Sequence, residues 1–216
     1  MENGLLERLA DKSMTRDELY LKAKGNFDLL PVLVEGLYSS KATIRYACGS
    51  IVMNLSEEHP DKLYPYMNVF VDLLSSRYRI LTWNAIAAVA NLARVDSEGK
   101  FDAIFDKYFS FLNDEYMVTV ANIVGNSSKI ASAKPHLVPK ITRQLLKVEN
   151  ISLTPHLTEE CKRVIAEKTI QTFSMFFDRI EDEQKEEVLA FVKRHLNSSR
   201  KTLKKEAEKF LRKWHN

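Results

Sequence analysis

The sequence predicts an all-α fold: a right-handed α-solenoid of about five helical hairpins, opened by an N-terminal capping helix pair. Three observations predict it. One phrase recurs along the chain, its apolar positions fall at helical spacing, and glycine and proline are scarce, six of each in 216 residues. That is about half their usual combined share. A β-sandwich or barrel needs many more turns, and a nucleotide-binding sheet needs glycine-rich loops.

The phrase is clearest in LPVLVEGLYSSKATIRYACGSIVMNLS from Leu30 and MNVFVDLLSSRYRILTWNAIAAVANLA from Met67. Each has an apolar doublet, a leucine three residues later, a Ser-Ser turn with a base, and a helix closing on Asn-Leu. Asn54, Asn91 and Asn126 stand at one register, 37 and 35 residues apart, and Thr172 and Lys213 continue it after 46 and 41. Six residues before this anchor lie Cys48, Ala85, Val120, Ala166 and Ala207; two before lie Val52, Val89, Val124, Ile170 and Leu211. Leu55, Leu92, Ser127, Phe173 and Trp214 follow it by one, and Ile44, Leu81, Tyr116, Lys162 and Leu203 precede it by ten. Steps of four, four and three place these columns on one helical face, a buried stripe.

The elements follow in order, within a single domain of residues 1–216. Residues 1–26 form the cap, where Thr15-x-x-Glu18 is a capping-box pattern and Gly25-Asn26 closes the helix. Residues 27–59 are the first hairpin, with Leu33-Val34 leading to Leu37. Residues 60–97 are the second, with Phe70-Val71 leading to Leu74. The third, 98–133, has Tyr108-Phe109 and Leu112; the fourth, 134–179, has Ile141 and Leu145; the fifth, 180–216, has Phe191-Val192 and Leu196 one residue late. Pro60 with Pro65, and Pro135 with Pro139, read as a lead-in turn and a kink before the main helix. The fourth unit is about ten residues long in excess, through Val148–Leu157, VENISLTPHL. Ile151, Leu153 and Leu157 make this excursion a packed one or a docking element. Thr154-Pro155 reads as an N-cap with proline at the first helical position. Phe173, Met175, Phe176 and Phe177 read as core. Neither helix of a hairpin can bury its apolar face alone, and stacking buries both.

The doublet, the Ser-Ser turn and the closing Asn-Leu resemble armadillo and HEAT repeats, most clearly over residues 27–101. The resemblance implies a non-catalytic scaffold that binds a partner protein, or an extended peptide, along its concave face. It places Asn54, Asn91 and Asn126 where armadillo asparagines hydrogen-bond a peptide backbone, since an amide both donates and accepts. The alternative is that they bond a neighbouring helix and maintain stacking. Armadillo grooves also carry a tryptophan four residues before that asparagine; here Ser50, Ala87 and Asn122 stand there, and Trp83 lies eight before Asn91. Asn84 and Arg94 complete the candidate partner face with Ser50, Asn122 and Trp83.

Net charge divides the chain. Residues 1–187 hold 23 bases and 27 acids, a balance of −4, whereas residues 188–216 hold nine bases and two acids, a balance of +7. Arg200, Lys201, Lys204, Lys205, Lys209, Arg212 and Lys213 surround a stripe of Leu203, Ala207, Leu211 and Trp214. Such a helix reads as a solvated terminal cap, or as a site for nucleic acid or an acidic surface.

No enzyme motif is present: no G-x-G-x-x-G, G-x-x-x-x-G-K, H-E-x-x-H or C-x-x-C. Catalytic residues, metal and cofactor are expected to be none. The DNA alkylation-repeat glycosylases, which resemble HEAT solenoids, use aromatic and acidic residues on the concave face. Trp83 is the main aromatic candidate here and has no acid beside it, so that activity is not expected. Cys48 and Cys161 make no disulfide framework, MENGLLERLADK reads as no signal peptide, and no apolar run approaches a membrane span. A cytoplasmic location follows as an expectation.

Overall fold

A computed structural model describes residues 3–214, without the side chain of Asn3; the outermost residues of the expected cap and last hairpin, 1–2 and 215–216, lie outside it. Among the described residues, α-helices and short 3-10 segments are joined by turns, with one isolated antiparallel bridge between Thr154 and Leu157. Contacts group the chain up to Asp102 into one compact unit and the chain from Ala103 into a second.

The first unit opens with α1 (Asn3–Ala10) and α2 (Arg16–Gly25). The capping box is present: the Thr15 hydroxyl accepts from the Glu18 amide, and the Glu18 carboxylate accepts from the Thr15 amide at 2.7 Å. Then come α3 (Leu30–Gly36) and α4 (Ala42–Glu58), the lead-in turn α5 (Pro60–Leu63), α6 (Met67–Leu73) and α7 (Arg79–Leu92). α3 packs on α4, α6 on α7, and α4 on α7. The expected stripe is buried in both long helices: Cys48, Val52 and Leu55 in α4, Ala85, Val89 and Leu92 in α7. Gly36 in α3 fits because it lacks a side chain; a Cβ there would lie 2.4 Å from the Cys48 sulfur.

α8 (Lys100–Ser110) crosses the division. The second unit continues with α9 (Met117–Ala133), α10 (Val138–Leu146), α11 (Glu159–Phe173), α12 (Asp182–Arg194) and α13 (Lys201–Trp214). α11 lies between α9 and α13, packed against both. Ser127 occupies an apolar column yet is fully buried, because its hydroxyl donates to the Ile123 carbonyl at 2.8 Å.

One turn chemistry opens four of the long helices. The side chain three residues before the helix accepts the amide two residues on: Ser39 from Lys41, Ser76 from Tyr78, Asp114 from Tyr116 and Ser198 from Arg200, at 2.8–3.2 Å. Such turns pre-shape the chain reversal locally. The Ser-Ser phrase is the visible part of this device.

Four expectations need correction. α11 is capped by Thr158, not Thr154; Thr154 and Leu157 exchange backbone hydrogen bonds in a tight turn, and the Thr154 hydroxyl donates to the Glu115 carbonyl at 2.7 Å. Within the excursion Val148, Ile151 and Leu157 are buried, but Leu153 is 52% exposed. Met175 is 67% exposed while Phe173, Phe176 and Phe177 are core. In α13 Phe210 is buried and Leu211 only half-buried, so the stripe runs Leu203, Ala207, Phe210, one residue off the expected column.

Candidate functional site

The anchor column is spent largely on joining each helix to the one before it. Asn91 is 5% exposed, and its Nδ2 donates to the Ser56 hydroxyl at 3.0 Å; Ser56 in turn donates to the Met53 carbonyl at 2.6 Å. Arg94, one turn on, is exposed and donates to the Glu57 carbonyl. In the second unit the Thr172 hydroxyl, also buried, donates to the Val124 carbonyl at 3.1 Å, and Lys213 Nζ reaches the Ser174 carbonyl at 3.4 Å. Asn91 is therefore not a partner-facing amide. Asn54 is exposed, and Asn126 is half-buried with its Nδ2 on the Asn122 carbonyl at 2.9 Å.

The open face lies one and two helical turns earlier. In the first unit it carries Ser50 and Ala87, then Tyr46 and Trp83, all half-buried. Asn84 stands beside them against Gly49, its Nδ2 without a hydrogen-bond partner; a Cβ at Gly49 would come within 2.7 Å of it. In the second unit the same columns carry Asn122, Lys168 and Lys209, then Val118, Val164 and Lys205. There α9 and α11 enclose a groove of about 490 Å³, lined by Val118, Asn122, Gly125, Asn126, Val164 and Lys168 among others. Asn122 Nδ2 donates to the Val118 carbonyl at 2.9 Å. Both amides of the groove thus turn their donors to their own helix.

Sequence reasoning missed Arg45. It is 4% exposed, donates through Nη1 to the Ser39 and Ser40 carbonyls at 2.7 and 3.2 Å, and lies 3.6 and 4.9 Å from the ring centroids of Tyr78 and Tyr46. Carbonyl dipoles and aromatic faces take the place of a carboxylate. A single arginine next to an apolar stripe gives no sequence signal of this. The arrangement fixes Tyr46 at the edge of the open face.

The basic patch divides in the same way. Arg200 is held by Glu167 at 2.8 Å and Glu160 at 2.5 Å, with the Thr202 hydroxyl on Glu167 at 2.6 Å, so it ties α13 to α11 rather than facing solvent freely. Arg163 and Arg200 hold the Glu160 carboxyl below its usual range. Lys201, Lys204, Lys205 and Arg212 are exposed; Lys209 lies 3.4 Å from Glu206, and Lys213 is 4.2 Å from the Trp214 ring centroid. Elsewhere burial moves the titrating groups furthest: it raises the fully buried Tyr108 hydroxyl most, and pushes the Cys48 thiol and the Tyr64 hydroxyl each up to about 12, Tyr64 further aided by its hydrogen bond to Asp96.

Within each unit, helical hairpins stacked through their second helices give an armadillo-type repeat fold. Solved structures of that class are similar over nearly the whole chain. A designed armadillo repeat protein, YIII(Dq)4CqI, has TM-score 0.61 at 19% identity, covering 96% of this chain and 89% of that one. Another, YIII(Dq.V1)4CPAF in complex with peptide (KR)4, has TM-score 0.62 at 17% identity, covering 97% and 91%. An engineered protein matches with TM-score 0.60 at 17% identity, covering 96% and 86%. No family model and no curated protein matches the chain. The all-α armadillo-type solenoid expected from the sequence is the fold. No helix among the described residues is long and apolar enough to cross a membrane.

Proposed function

We propose that the chain is a non-catalytic, cytoplasmic interaction scaffold that binds a partner polypeptide in extended form along the open face of its long helices. The array acts as one domain over residues 1–216, with hairpins at 27–59, 60–97, 98–133, 134–179 and 180–216. The observation that carries the reading is the groove between α9 and α11. With their Nδ2 groups committed to backbone carbonyls, Asn122 and Asn126 keep their Oδ1 acceptors for a strand's amides, over a floor of Val118, Gly125 and Val164. Preformed helices make such binding cost little ordering of the receptor. That a designed protein of similar fold is in complex with a peptide supports the same mode.

Selection of a random-peptide display library on the full chain tests this. Enriched peptides should bind at least tenfold more weakly to Asn122→Ala/Asn126→Ala and protect amides of α9 and α11 from hydrogen exchange. Absence of enrichment, or protection confined to other helices, would overturn it. The exposed Lys201, Lys204, Lys205 and Arg212 favour a second reading, nucleic-acid binding through α13. Duplex binding that weakens by about 0.9 log units per phosphate contact per log of salt, and vanishes on removing residues 200–216, would establish it.

A further inference from the structure

We propose that the open face of the second unit selects an acidic polypeptide segment, with its carboxylates lying toward α13; this rests on the extended-polypeptide reading above. α9, α11 and α13 lie side by side, and their open columns change charge in one direction. On α9 the pair is Val118 and Asn122, on α11 Val164 and Lys168, on α13 Lys205 and Lys209. Formal charge on these two columns therefore runs zero, +1, +2. α9 contains no Asp or Glu. Of the carboxylates on the other two helices, Glu160 and Glu167 hold Arg200. Glu206 sits 3.4 Å from Lys209 and offsets its charge, so Lys168 and Lys205 carry the attraction.

Gly125 gives Lys168 its place. A Cβ on residue 125 would stand 2.8 Å from the Lys168 Cε, so the lysine stem crosses α9 where a side chain is missing. Its ammonium is exposed at the rim of the groove. Lys205 is exposed one helix further on. A polypeptide fits better than a nucleic-acid strand, because the α9 lane offers amide acceptors. A polypeptide backbone brings an N–H at nearly every residue to meet them, whereas phosphodiester linkages bring none. The amide lane and the basic helix, separate candidates in the sequence, become two ends of one surface.

The experiment uses the full chain and fluorescein-labelled peptides of equal length built on Asp-Ser, Asn-Ser and Lys-Ser repeats, beside an oligo-thymidine of matched length, read by anisotropy at about 50 and about 300 mM salt. The acidic peptide should bind at least tenfold tighter than the neutral one at low salt, a difference of about 1.4 kcal/mol, and lose that margin at high salt. Lys168→Glu/Lys205→Glu should reverse the preference towards the basic peptide with an unchanged melting temperature; Lys168→Gln/Lys205→Gln should abolish it, and serves if the reversal fails to fold. Equal binding of neutral and acidic peptides, or an unchanged preference in both variants, overturns the inference and leaves the polypeptide reading intact. Failure of every peptide to bind overturns both. Tighter capture of the oligonucleotide, lost in the variants, overturns it in favour of nucleic acid.

Discussion

The three asparagines that share one pattern in the sequence do not share one job. Asn91 bridges to Ser56, whereas Asn54 is exposed. Asn91→Ala removes a buried hydrogen bond and should cost about 1–3 kcal/mol. Asn54→Ala should stay within about 0.5 kcal/mol, as exposed substitutions usually do. Chemical denaturation of the two variants measures the difference directly, and equal costs would undo the assignment. The sequence could not separate them because both end an apolar stripe on Asn-Leu; the deciding fact is whether the preceding helix presents a hydroxyl there. Arg45 was equally illegible. A cation beside an apolar stripe reads as a solvated residue until Tyr46, Tyr78 and two carbonyls are seen around it.

At the scale of helices, the apolar columns were legible and their phase was not always. Period is a property of the sequence, but the side of a helix that meets its neighbour depends on the packing angle. Hence the shift in α13, where Phe210 replaces Leu211 in the core beside Phe177, their ring centroids 5.1 Å apart. Phe210→Ala should cost about 3–5 kcal/mol. Leu211→Ala should cost clearly less, and denaturation midpoints would tell the two apart. The open face was legible only in part for the same reason: Ser50, Asn122 and Trp83 were candidates in the sequence, but only the stacked helices place the face a turn before the asparagine column. At the end of α12, burial lowers the His195 pKa from its ordinary 6.5, with Glu149 opposing and Arg194 assisting. Its ring lies against Phe191, centroids 4.9 Å apart, and its Nε2 lacks a hydrogen-bond partner. The folded form therefore takes up the proton less readily than the unfolded one, so stability falls as pH drops below 6.5, until the depressed folded pKa is reached. Melting curves between about pH 7.5 and 5 should show that loss reduced in His195→Gln; an identical pH profile would refute it.

For the molecule as a whole, the fold class was readable from scarce glycine, the repeated phrase and the stripe, since each hairpin is specified mainly by local sequence. The candidate surface was only half readable. Its residue types were visible, but the joining of amide and lysine lanes needed α9, α11 and α13 set side by side. Thiol chemistry gives a global readout. Cys48 is fully buried with its thiol pushed up to about 12, while Cys161 is half-exposed. A thiol reagent at neutral pH should modify Cys161 promptly and Cys48 only as fast as the first unit opens; prompt modification of both would show that the core around α4 breathes freely. The bonds between long helices also share a direction: Asn91 to Ser56, Thr172 to Val124 and Lys213 to Ser174 all run from the later helix to the earlier. Within each unit the stack is thus polar in the sense that a written line is, with every hairpin reading the one before it. A duplicated hairpin spliced in sequence order would find acceptors waiting, while the same hairpin grafted in reverse order would set one donating column against another.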